Sequence, residues 1–259
     1  MKYCLAAIAM PAGLASAAVV HQWTFNDGTF NDSVGSLNGT LDGAAAVSGG
    51  QMALTGGTGE LDGSALALHT YTAVTLEFWA TPDANQTGFR SLFGVGNDDV
   101  PASTAPPTEY FILQTHRGDD VTRASISLST DASPWDEEDG ANGAELNDGA
   151  EHHYVVTIAG TALTLYIDGA LANTVTLGTA FAANSDGLSG LGSEFATIGA
   201  AYPADPIWGG LVNEFTIHDE ALDDTGVLAR FNAGPVPVPE PSTILLGTLG
   251  AFGLLRRRR

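Results

Sequence analysis

His152-His153-Tyr154-Val155-Val156-Thr157-Ile158, a break at Gly160, and then Leu163-Thr164-Leu165-Tyr166-Ile167-Asp168-Gly169-Ala170-Leu171 is the stretch that decides the fold. Leu163, Leu165 and Ile167 alternate with Thr164 and Tyr166, the period-two pattern of a strand with one buried face. Asp168-Gly169 supplies the positive φ values that a type I′ hairpin turn requires. The preceding segment is rich in β-branched and aromatic residues and pairs back through Gly160. The chain here is a run of antiparallel strands.

Comparable segments recur on both sides: Val20–Phe25, Ala73–Ala80, Arg90–Val95, Tyr110–His116, Ala124–Leu128, Ala172–Leu177 and Leu211–Ile217. Gly, Asn, Asp and Pro separate them, and many short strands with such punctuation predict an all-β sandwich or barrel. One helix is expected near the end, capped by Asp223 or Asp224, carrying Val227, Leu228 and Phe231, and stopped by Gly234. The acidic stretch Asp131–Gly149 shows no periodicity and reads as a long loop, a feature that tends to be functional or mobile in a compact domain. No linker interrupts this region, whose length suits one large β domain or two small ones.

The segments together resemble a laminin G-like, concanavalin A-like jellyroll domain. Gln22-Trp23-Thr24-Phe25-Asn26-Asp27-Gly28 with Asp32, Gly35 and Asn38-Gly39-Thr40-Leu41 is similar to its opening strand and loop. Thr75–Ala80 is similar to a recurring strand of the family, and His153 through Gly169 to its central hairpin. Ile198-Gly199 and Trp208–His218 with Ala221-Leu222 are similar to its closing strand. The resemblance implies two antiparallel sheets packed face to face over residues 19–234, with one short helix near the end of the domain. It also implies a structural calcium where the opening loop meets the closing strand, at Asp32, Asn38, Asn213 and Glu214. Asn213 departs from the family's commoner aspartate and lowers the ligand charge.

Both ends read as removable. Residues 1–18 have a charged start, an apolar stretch and small residues at Ala15-Ser16-Ala17-Ala18, the parts of a secretory signal peptide. Cys4, the one cysteine in the sequence, leaves with it. In residues 235–259, Pro237, Pro239 and Pro241 hold an extended spacer, Ile244–Leu255 is apolar but short of the ~20 residues of a stable membrane span, and four arginines follow. Pro239-Glu240-Pro241 with this apolar run and basic end resembles a PEP-CTERM sorting signal. That implies a transient C-terminal membrane segment, cutting by an exosortase, and delivery to the surface, outer membrane or matrix of a Gram-negative-type cell. Signal peptidase and exosortase are thus the expected partners during export.

The formal net charge of the chain is −21. Without its two ends it keeps 29 carboxylates against four arginines and no lysine, a net charge of −25. Such a surface repels phosphate backbones and excludes a nucleic-acid partner.

No catalytic residues are expected. The acidic cluster Trp135-Asp136-Glu137-Glu138-Asp139-Gly140 reads as loop rather than as two carboxylates on a strand face, and Ala141 stands where β-glucanases of the class carry a further acid. Trp135 is the candidate contact for a sugar ring. His152 and His153 point to opposite faces and cannot share a metal, and His21, His69, His116 and His218 read as single strand residues. Trp23, Phe78, Trp79 and Trp208 belong to the core or the sheet faces, with Glu77 and Trp79 on one side of their strand and Leu76 and Phe78 on the other. The expected function is an exported, non-catalytic binder of carbohydrate or protein. The alternatives are a calcium-stabilised structural matrix protein and, further off, a divergent glycosidase or lyase.

Overall fold

The computed structural model describes residues 17–66, 68–96, 109–128, 134–178, 195–201 and 205–238. Pro239, Glu240 and Pro241, and nearly all of the signal segment, lie outside the described residues.

Antiparallel ladders build two sheets. In the first, β13 (Ala170–Thr176), β12 (Ala162–Ile167), β11 (His152–Ala159), β6 (Ala73–Pro82), β15 (Gly210–His218), β4 (Gln51–Ala53) and β3 (Ala46–Ser48) lie in that order, and β1 (Val19–Trp23) also pairs with β15. In the second, the order is β10 (Asp139–Ala144), β9 (Val121–Leu128), β8 (Glu109–Arg117), β7 (Arg90–Gly96), β14 (Phe195–Ile198), β5 (Gly57–Leu61) and β2 (Thr40–Gly43). The sheets form an antiparallel sandwich, as the strand pattern predicts. The central hairpin has the expected turn, with φ of 50° at Asp168 and 76° at Gly169.

Alternation sorts each strand into two faces. Val74, Leu76 and Phe78 of β6 meet Phe215 and Ile217 of β15 in register and turn inward. Phe78 stacks on Phe215 at 4.0 Å between ring centres, and Phe93 of the opposite sheet lies 5.1 Å from Phe215, so aromatic packing joins the sheets at the centre. The outward residues of β6, Thr75, Glu77 and Trp79, are buried as well. Helix α1 (Gly63–Leu66) is a single turn, whereas α2 (Asp224–Ala233) packs over this outer face. Asp223 caps α2 by accepting from Gly226 N at 2.8 Å, and Gly234 ends it at φ 73°. Phe231 stacks parallel to Trp79 at 5.9 Å, and Tyr166 donates to Asp224 Oδ1 at 2.8 Å. Beyond α2 the chain stays on the domain: Val236 N donates to Glu214 Oε2 at 2.7 Å, and Asn26 Nδ2 donates to Val236 O at 3.1 Å.

The stretch read as a long loop from Asp131 to Gly149 contains a 3₁₀ turn, Pro134–Glu137, and the edge strand β10. Its glycines explain the missing pattern. A Cβ on Gly143 would lie 2.5 Å from Ile167 Cδ1, and one on Gly140 would enter the Arg123 guanidinium. The strand forms because it completes the ladder of β9, not through propensity.

Candidate functional site

The second sheet also has two faces. Phe93, Phe111, Leu113 and Ala124 enter the core, while Ser91, Gln114, Arg123, Ser125, Thr197 and Glu60 share the outer face in register. A polar row on a sheet face is ordinary in water, but Ser91, Gln114, Ser125 and Thr197 are buried, and among the described residues the hydroxyls of Ser91 and Ser125 have no hydrogen-bond partner. Glu60 accepts from Thr58 Oγ1 at 2.5 Å and Thr197 Oγ1 at 2.8 Å, and burial holds its carboxyl above the usual range despite both hydroxyls. Gly94 sits in this face because a Cβ there would be 2.6 Å from Ala201 Cβ and 2.8 Å from Ala200 O.

Along the β9–β10 edge this polar face reaches the surface. Glu138, just before β10, accepts from Tyr110 OH at 2.5 Å and forms an ion pair with Arg123 Nε at 3.4 Å. Arg123 also donates through Nη1 to Asn142 Oδ1 at 2.8 Å. Asp205 belongs to the same cluster electrostatically. Burial first, and then the negative charge of Glu138, push its carboxyl up to about 6, against the pull of Arg90. Three residues before Glu138, on the 3₁₀ turn packed against β9, Trp135 is 49% exposed. The cluster thus offers an aromatic face for stacking, carboxylates to accept from hydroxyls, and a guanidinium to donate.

Of the residues expected to hold calcium, Asp32 and Asn38 come together, since Asn38 Oδ1 accepts from Asp32 N at 3.0 Å. The Asp32 carboxylate takes backbone N–H groups of Gln22, Val34, Gly35 and Leu37 and lies 2.6 Å from His21 Nδ1. Burial opposes ionisation of this carboxyl, but the His21 contact and those N–H groups outweigh it and hold it below the usual range. Glu214 reaches the same neighbourhood through Gln22 Nε2 at 2.8 Å, and also accepts from Thr216 and Arg230. Asn213 turns the other way and donates to Glu151 Oε1 at 3.0 Å. Trp135 stands exposed on the 3₁₀ turn packed against β9, three residues before Glu138. Tyr110 and Arg123 escape a sequence reading because only strand pairing brings them to Glu138, and Asp205 because it comes from the segment between β14 and β15.

Two antiparallel sheets packed as a jellyroll-like sandwich, with one short helix near the domain end, define the class of β domain to which the chain belongs. The chain belongs to the concanavalin A-like lectin/glucanase superfamily, whose family model matches residues 55–227. Residues 237–259 match the PEP-CTERM protein-sorting motif, which marks the chain for export in a Gram-negative-type cell. Among the described residues no helix is long and apolar enough to cross a membrane.

Among solved structures, domain 4 of AbnA, a GH43 extracellular arabinanase from Geobacillus stearothermophilus in complex with arabinotriose, is similar at 20% identity and a TM-score of 0.62, covering 82% of this chain and 98% of that one. A structure of botulinum neurotoxin type C, whose cell entry depends on two ganglioside molecules, is similar at 12% identity and a TM-score of 0.59, covering 83% of this chain and 51% of that one. The binding domain of botulinum neurotoxin DC in complex with rat synaptotagmin II is similar at 13% identity and 0.59, again covering 83% and 51%. The chain spans about half the length of these toxin chains, and at such identities the likeness is one of fold. No curated protein matches the chain in sequence.

Proposed function

We propose that the protein is an exported, non-catalytic binder of an extracellular polysaccharide or surface protein, with Trp135 as its contact and Glu138, Arg123 and Asp205 behind it. Trp135 carries the proposal. Trp23, Trp79 and Trp208 are buried, whereas Trp135 stands half exposed on an edge fixed by the Tyr110–Glu138 bond. Large aromatics left in water beside hydrogen-bonding groups are the usual anchors of binding patches. Signal peptidase and exosortase would process the ends and leave the sandwich outside the cell. Pull-down with the host's exopolysaccharide, together with a glycan array, tests the role. Wild type is expected to bind saturably and Trp135→Ala at least about tenfold more weakly. Equal binding by both would remove Trp135 from the site.

One observation favours a second reading, glycoside hydrolysis: a carboxyl held near 6 beside another carboxylate, as an acid–base pair requires. Screening polysaccharides for release of reducing ends decides between them. Turnover by wild type that is lost in Glu138→Gln would make the protein an enzyme; no turnover by either variant supports binding alone.

A further inference from the structure

We infer that His116, Asp120 and Glu145 form a site for a divalent transition cation of the zinc type, distinct from the Trp135 patch. The turn from β8 to β9 is closed by Asp120 N donating to Arg117 O at 2.9 Å. β10 pairs with β9 so that Ala144 opposes Val121, which brings the next residue, Glu145, toward Asp120. His116 lies in the irregular register near the end of β8. One ligand atom from each of the three residues lies within 4.8 Å of the others.

The histidine points to a ligand. Its ring is buried, and among the described residues Nδ1 has no hydrogen-bond partner. Glu145 Oε1 stands 2.7 Å from that nitrogen but out of line for a hydrogen bond, and its other contact is Asn147 Nδ2 at 3.4 Å. An imidazole nitrogen with an unused axis, flanked by two carboxylates, has the donors of a three-ligand zinc site with a fourth position open to water. Calcium takes oxygen alone, so the histidine selects a transition ion. At zinc–ligand lengths of about 2.0–2.2 Å the donor atoms of a tetrahedral site would stand about 3.3–3.6 Å apart. Asp120 and Glu145 are exposed, so around the fixed ring Glu145 can draw back from its 2.7 Å approach and Asp120 can adjust to reach that spacing. His152 offers no such site, because Asp168 and Asp148 engage its two nitrogens at 2.9 and 3.1 Å.

Titrating the chelator-stripped full chain, purified without a histidine tag, with Co²⁺, Zn²⁺ and Ca²⁺ tests the site. One equivalent of Co²⁺ is expected to give visible d–d absorption that Zn²⁺ displaces and equimolar Ca²⁺ does not, and Zn²⁺ should raise the melting temperature. His116→Gln should abolish the cobalt spectrum, and Asp120→Asn and Glu145→Gln should each weaken binding at least about tenfold. These two exposed positions decide the matter if His116→Gln does not fold, and His152→Gln should leave binding unchanged. Absence of stoichiometric cobalt binding, binding indifferent to both carboxylate variants, or displacement of Co²⁺ by equimolar Ca²⁺ would overturn the site.

Discussion

Glu77 sits fully buried on the outward side of β6, where His153 Nε2 lies at 3.0 Å, His218 Nε2 at 2.9 Å and Arg230 Nε at 3.0 Å. Burial alone would push its carboxyl up. The two imidazole donors and the guanidinium outweigh it, and the group stays well below the usual carboxylate range. A depressed folded value means that the stabilisation is present above the unfolded value of about 4.3 and is lost as the pH falls below it. Urea melts from pH 7 to pH 3 should show that loss in wild type. Glu77→Gln should flatten it and lower stability at pH 7 by about 3–5 kcal/mol, the usual cost of breaking a buried ion network. Asp205 has the opposite sign. With its folded value raised to about 6, its stabilising protonated form is lost as the pH rises through that value, so Asp205→Asn should raise the melting temperature at pH 7 and not at pH 4. The alternation in Leu76-Glu77-Phe78-Trp79 shows which way Glu77 points. It does not show that His153, His218 and Arg230 converge there, since sheet order and the seating of α2 bring them from distant parts of the chain.

Helix α2 was legible from Asp223, Val227, Phe231 and Gly234, but its docking partner was not. Phe231 meets Trp79 and also crowds Gly169, where a Cβ would lie 2.8 Å from the Phe231 ring. Phe231→Ala should lower stability by about 1–3 kcal/mol, measured by chemical denaturation, while the sandwich keeps its far-ultraviolet dichroism. The short strands β2 to β5, β10 and β14 were not legible, because glycines and small residues carry their close approaches and the ladder itself supplies the order. Gly143 shows the cost. Gly143→Val should overpack Ile167, Ala172 and Leu165, destabilise by about 1–3 kcal/mol and loosen the edge that holds Glu138. Binding should fall with it, although Gly143 belongs to the inner face of the edge strand and not to the patch.

Across the whole molecule, charge and fold divide the labour. Arg117 pairs with Asp119, Arg123 with Glu138, and Arg230 with Glu77 and Glu214, while Arg90 donates to the carbonyls of Thr87 and Ile207. The remaining carboxylates repel one another, so raising the salt from about 0.05 to 1 M, which shortens the screening length to ~3 Å, should raise the melting temperature. The strand pattern and the sorting tail were legible because they are local signals. The candidate patch was legible only at Trp135, since Tyr110, Arg123 and Glu138 meet through the ladder β8–β9–β10 and Asp205 comes from the segment before β15. That patch has one direct reporter: Trp135 is 49% exposed and the other tryptophans are buried. Titrating the protein with the host's extracellular polysaccharides and surface proteins while following tryptophan fluorescence and its quenching by iodide tests the central claim. A saturable blue shift with protection from iodide, both lost in Trp135→Phe, is the result expected; quenching that no ligand alters, or an unchanged response in Trp135→Phe, would contradict it.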